Sequence, residues 1–120
     1  MAVTVITPEV LTRNTFDLDA IAMTAPTTAA DGFTVDLTNY ADHNIVFLFQ
    51  NSGASDRIVT VKKGNSIQGT ADLASGNIAA GKFGAITIES GKFKNVTGTL
   101  KGKVLVIPAH AELKMAVLAI

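Results

Sequence analysis

Asn44-Ile45-Val46-Phe47-Leu48-Phe49-Gln50-Asn51, followed by Ser52-Gly53-Ala54-Ser55-Asp56 and then Arg57-Ile58-Val59-Thr60-Val61-Lys62, is the stretch that decides the fold class. Two runs rich in β-branched and aromatic residues flank a five-residue polar turn containing Gly53, which is the pattern of a β-hairpin. The first run is apolar at Ile45, Val46, Phe47, Leu48 and Phe49 in succession. Such a strand belongs in the middle of a sheet, covered on both faces or with one face in the core and the other in an interface.

The same grammar extends outward. Residues 33–37 alternate so that Phe33, Val35 and Leu37 share a face, and residues 113–120 place Leu113, Met115, Val117 and Ala119 opposite Lys114, Ala116, Leu118 and Ile120. Short strands are expected at residues 3–6, 16–23, 67–73, 83–88, 92–96 and 104–107, separated by Gly- and Pro-bearing turns. About eight strands at this spacing mark an all-β, antiparallel β-sandwich. The only helical candidate, residues 109–112, is too short to expect a helix. Residues 1–32 are the least regular and read as an amino-terminal arm or edge segment, with residues 33–120 as the sandwich domain.

At 120 residues the chain fits one domain able to bury its own core. Hydrophobic residues make up 48% and charged residues only 17%, below the usual share of about a quarter, so part of the surface is expected to be covered by partners. The net charge of zero argues against a generic nucleic-acid binder, and with no Trp and one Tyr there is no stacking platform for bases. The zero hides a skew. Residues 1–60 hold seven acids and two arginines, net −5, whereas residues 61–120 hold eight lysines and three acids, net +5. The amino terminus lacks the basic start and apolar core of a secretory signal, and no apolar run approaches the roughly 20 residues needed to span a bilayer, so no membrane partner is expected.

Chemistry finds little to work with. The absence of cysteine removes disulfides, thiolate nucleophiles and cysteine metal sites. His43 and His110 lie in no nucleophile elbow or catalytic fingerprint. His110 and Glu112, two residues apart, offer two ligands of one segment without a third, and Asp17 and Asp19 are followed by no calcium loop. The glycines at 81, 84, 98 and 102 do not form a phosphate-binding loop. No enzyme, cofactor or metal is therefore expected. Lys92, Lys94, Lys101 and Lys103, read as a hairpin, serve either to protect a sheet edge or to dock an acidic protein patch. With the arm residues Val3, Val5 and Arg13, they are the expected partner contacts.

The hairpin at residues 44–62, the turn Ile78-Ala79-Ala80-Gly81-Lys82-Phe83-Gly84-Ala85-Ile86 and the closing strand Leu113-Lys114-Met115-Ala116-Val117-Leu118-Ala119-Ile120 resemble small bacteriophage and prophage virion proteins, head decoration or capsid-associated β-proteins of this length. The resemblance spans residues 33–120. It implies a jelly-roll-like sandwich on the outside of a capsid, made in the host cytoplasm. Such a protein forms a trimer or other small homo-oligomer and contacts the major capsid protein or other virion subunits. Residues 83–88 are less proline-rich than that pattern, which keeps a tail component open as the alternative. A carbohydrate-binding module is the other, although it ordinarily needs exposed aromatic platforms.

Overall fold

A computed structural model describes residues 3–11, 14, 23–38, 40, 44–69, 71–88 and 90–119. Among these, nine strands and a single helical turn form two sheets. The strands are β1 (Thr4–Ile6), β2 (Glu9–Val10), β3 (Phe33–Asp36), β4 (Ile45–Asn51), β5 (Val59–Val61), β6 (Leu73–Ala74), β7 (Phe83–Ile86), β8 (Lys103–Pro108) and β9 (Leu113–Ala119), with the turn α1 (Ser90–Phe93) preceding β8. One sheet runs β1-β3-β8-β5-β6 and the other β2-β9-β4-β7. The all-β, two-sheet expectation is met.

Alternation sets which side chains meet between the layers. On β4, Ile45, Phe47 and Phe49 are buried and Val46, Leu48 and Gln50 half-buried; on β9, Leu113, Met115, Val117 and Ala119 are buried, as the sequence pattern predicts. Phe33, Val35 and Leu37 face them from the other sheet, with Val59, Val61, Val104 and Val106. Each large aliphatic or aromatic side chain removed from water in this way contributes roughly 1.5–3 kcal/mol.

The connectivity departs from the sequence reading. β4 and β5 do not pair: β4 lies between β9 and β7, and β5 lies between β8 and β6 in the opposite sheet. The expected hairpin at residues 44–62 is therefore an arch that carries the chain from one layer to the other. Its corner is Asn51, fully buried, whose side-chain amide donates to Ser55 O at 2.7 Å and Ile78 O at 2.8 Å while its Oδ1 accepts from Gly53 N–H at 3.0 Å. Residues 109–112 form a second arch between β8 and β9. Among consecutive described strands only β5 and β6 pair with each other.

Three further expectations are corrected. Lys92 to Val96 is not a strand: α1 buries Phe93, and Asn95 makes an isolated bridge to Lys101. One buried residue is all that segment offers the core, and a helical turn seats it. Of the described residues among 67–73 only Leu73 lies in a strand, and Ile67 is 97% exposed. The sheets are not wholly antiparallel, because β1 pairs parallel with β3 and β2 parallel with β9. The chain bends at Thr7-Pro8, where proline cannot donate to a ladder, and so crosses from one sheet edge to the other. The expected strand at residues 16–23 lies outside the described residues but for Met23.

Gly32 and Gly102 make the turns into β3 and β8 possible. Gly32 has φ of 68° and packs so closely on the Val106 carbonyl that a side chain has no room. Gly102, with φ of 79°, lies against the Thr38 hydroxyl in the same manner.

Candidate functional site

The end of the sandwich where β5 leaves and β8 enters collects six lysines from three segments. Lys62 and Lys63 follow β5, Lys92 and Lys94 lie in and after α1, and Lys101 and Lys103 lead into β8. The segments are tied together by their backbones: Gly64 N–H donates to Lys92 O at 2.8 Å, Asn95 N–H to Lys103 O at 3.0 Å, and Gly102 N–H to Asn95 O at 2.7 Å. Asn65 locks the loops further, its Nδ2 donating to Thr97 O at 3.0 Å and its Oδ1 accepting from Val96 N–H at 2.8 Å. Glycine at 64 and 102 and asparagine at 65 and 95 thus let three basic loops lie side by side, where sequence spacing alone gave two pairs on one hairpin.

Two of these ammonium groups are engaged. Lys94 Nζ donates to Leu37 O at 3.1 Å and Lys62 Nζ pairs with Asp72 at 2.8 Å, while Lys103 stands in cross-strand register with Asp36. Lys63, Lys92 and Lys101 are exposed and have no side-chain partner among the described residues. Asp36 and Asp72 are the acids of this end among the described residues, and both are held ionised. The Thr38 hydroxyl and N–H, bonded to Asp36 Oδ1 at 2.6 and 3.0 Å, keep that carboxyl below the ordinary carboxylate range, with Lys103 and Lys94 adding to the effect. The Lys62 ammonium and then the Lys63 N–H do the same for Asp72.

The sequence reading singled out Lys92, Lys94, Lys101 and Lys103 and did not include Lys62 or Lys63. A lysine pair at a strand exit is the signal that was there to use. The arm residues are placed apart from this end. Thr4 pairs with Phe33 at the start of β3, whereas Lys103 pairs with Asp36 at its finish. Val3 therefore enters from the opposite end, half-buried, and Val5 is 64% exposed on the edge strand β1. Arg13, with His43, Asp17 and Asp19, lies outside the described residues.

His110 and Glu112 do come together, at the arch end, but around an arginine. Arg57 Nη2 lies 3.1 Å from Glu112 Oε1. His110 Nδ1 accepts the Glu112 N–H at 3.1 Å and lies 3.3 Å from the same residue's Oε1. A guanidinium on the carboxylate disfavours a cation there. Among the described residues no group of three His, Cys, Asp or Glu side chains is placed to hold a metal ion. Comparison with known protein families, with characterised proteins and with solved structures finds no match to this chain.

Proposed function

We propose that this chain is a bacteriophage virion structural protein, a jelly-roll-like capsid decoration protein that works as a homo-oligomer, a trimer by preference, by binding the major capsid protein or another virion subunit. The observation that carries the reading is the lysine-rich end, six lysines against Asp36 and Asp72 among the described residues, together with the resemblance of residues 33–120 to virion proteins. Lys63, Lys92 and Lys101 provide the free charge for an acidic face of the lattice, while the engaged lysines hold the loops in place. Each contact of this kind is individually weak and salt-sensitive. Repetition within an oligomer and around a lattice raises the effective affinity without new contacts.

Co-sedimentation with phage heads lacking the protein tests the proposal. The wild-type protein should attach, attachment should weaken as salt rises from 50 to 300 mM, and the triple variant Lys63→Glu/Lys92→Glu/Lys101→Glu should bind at least ten-fold less while keeping its oligomeric state. Wild-type protein that never sediments with heads, or a triple variant that attaches as well as wild type, would refute it.

A further inference from the structure

The side of the sandwich away from the Thr7-Pro8 crossover is open. Between β6, the last strand of one sheet, and β7, the last strand of the other, lies a groove of about 580 Å³. This is the size range of specific ligand sites. Its floor is core: Phe49, Val59 and Val61 are each only 3% exposed. On the β7 wall Gly84 packs against the Ile78 side chain, which leaves a Cβ there only 3.2 Å from Ile78 Cδ1, and Ile86 lines the wall beside it. Lys82 is the charged lining residue, and it has no ion-pair partner among the described residues.

The β7 edge beside this groove is unguarded. Asn51 N–H donates to Lys82 O at 3.0 Å. Alternation along the ladder then makes Phe49 with Gly84 and Phe47 with Ile86 the bonded pairs, so the backbone N–H and C=O of Phe83 and Ala85 point away from β4. Phe83–Ile86 holds no proline and no charge, the usual protections of a free edge. The other edges are covered or marked. Thr27 bonds to Thr4 on β1, Pro8 precedes β2 and Glu9 begins it, and the Lys62–Asp72 ion pair stands beside β6.

From the coincidence of a free sheet edge, an apolar groove and an unpaired lysine, we infer that this side binds an extended polypeptide segment of alternating apolar residues with a carboxylate at one end. The segment adds as a fifth strand beside β7. Its backbone satisfies Phe83 and Ala85, its apolar side chains cover Phe49, Val59 and Val61, and its carboxylate meets Lys82. Only another β-strand offers donors and acceptors at the spacing this edge presents, which distinguishes a peptide from an aliphatic ligand.

The probes are three labelled synthetic peptides with amidated carboxyl ends: Thr-Val-Thr-Val-Thr-Val-Thr-Asp, whose Asp shares the valine face, the same with Lys replacing Asp, and one with Pro at its centre. The acidic peptide should bind best, and it should protect the Phe83 and Ala85 amides from hydrogen exchange. Ala85→Pro removes only an outward N–H and should weaken binding at least ten-fold without lowering the melting temperature. Lys82→Glu should reverse the preference between the acidic and lysine peptides, which decides the matter even where Ala85→Pro does not fold. Unprotected Phe83 and Ala85 amides at millimolar peptide, undiminished binding by folded Ala85→Pro, or self-association through β7 that the peptide does not displace would each overturn the inference. Charge reversal at Lys63, Lys92 and Lys101 should leave peptide binding unchanged, so this site and the lattice-docking end fail separately.

Discussion

Asn51 donates through its side-chain amide to the backbone carbonyl of Ile78, 27 residues away, at 2.8 Å in a fully buried position. This bond joins the arch between the sheets to a segment that lines the open groove. The same amide satisfies Ser55 O and its Oδ1 satisfies Gly53 N–H. Replacing Asn51 by Ala leaves the Ile78 carbonyl unpaired in a buried position, which costs about 1–3 kcal/mol, and removes the partly buried bonds to Ser55 and Gly53 as well. Asn51→Ala should destabilise the protein by about 3 kcal/mol in urea titration. Asn51→Asp should cost at least as much at neutral pH, because it turns a carboxylate oxygen toward two carbonyls. A loss under about 1 kcal/mol for both variants would mean the arch holds without its corner.

Gly32 and Gly81 separate two costs that a positive φ usually mixes. Both are left-handed, at 68° and 74°, but a side chain at Gly32 meets the Val106 carbonyl and the Ile107 side chain, whereas Gly81 faces open space. Gly81→Ala should cost about 1 kcal/mol, the conformational penalty alone. Gly32→Ala should cost at least about 2 kcal/mol more, since the backbone carbonyl cannot move aside. Equal midpoints in denaturation would refute the close approach.

Legibility in the sequence follows what each signal can encode. Alternation in residues 33–37 and 113–119 named the buried faces correctly, because side-chain period depends only on local backbone geometry. Partner choice does not. The run 44–62 carries every local mark of a hairpin, and what makes it an arch is Asn51, whose bond to Ile78 no local pattern can show. Lysine clustering was half legible, since Lys92, Lys94, Lys101 and Lys103 are near in sequence while Lys62 and Lys63 arrive only through the packing of Gly64 and Asn65 against residues 92–97. The groove beside β7 was not legible at all, because it is a space between the edge strands of two sheets, and which strands end up at those edges is not a local property.

Acid sensitivity should trace to the lysine-rich end. The folded-state pKa of Asp36 is depressed, chiefly by the Thr38 hydroxyl and N–H. A carboxylate shifted this way contributes stability that is fully present above its unfolded value of 3.8 and is lost as pH falls through the lower folded value. Stability should therefore decline below about pH 4 more steeply in the wild type than in Asp36→Asn, with Thr38→Val intermediate. Parallel wild-type and Asp36→Asn curves between pH 5 and pH 2 would rule out this source.

Gly53 and Glu112 should behave as a coupled pair. A Cβ at Gly53 would run into the Glu112 carboxylate, the mobile end of a flexible side chain that also pairs with Arg57 at 3.1 Å. Gly53→Ala should displace that carboxylate and break a partly exposed ion pair, costing less than about 1 kcal/mol. In a Glu112→Ala background the same change should be nearly free, a non-additivity of about 0.5 kcal/mol in a double-mutant cycle. Strict additivity would mean the carboxylate does not rest over Gly53.

The crossover at Thr7-Pro8 has a consequence for synthesis. Glu9–Val10 pairs with Leu118–Ala119, so this short strand leaves the ribosome almost the whole sequence ahead of the residues it will lie beside. Until translation has passed residue 119, the β9 edge that receives it does not exist. The nascent chain carries that strand unsatisfied until then, so the β2–β9 ladder forms late, as a long-range pairing whose loop-closure cost slows folding.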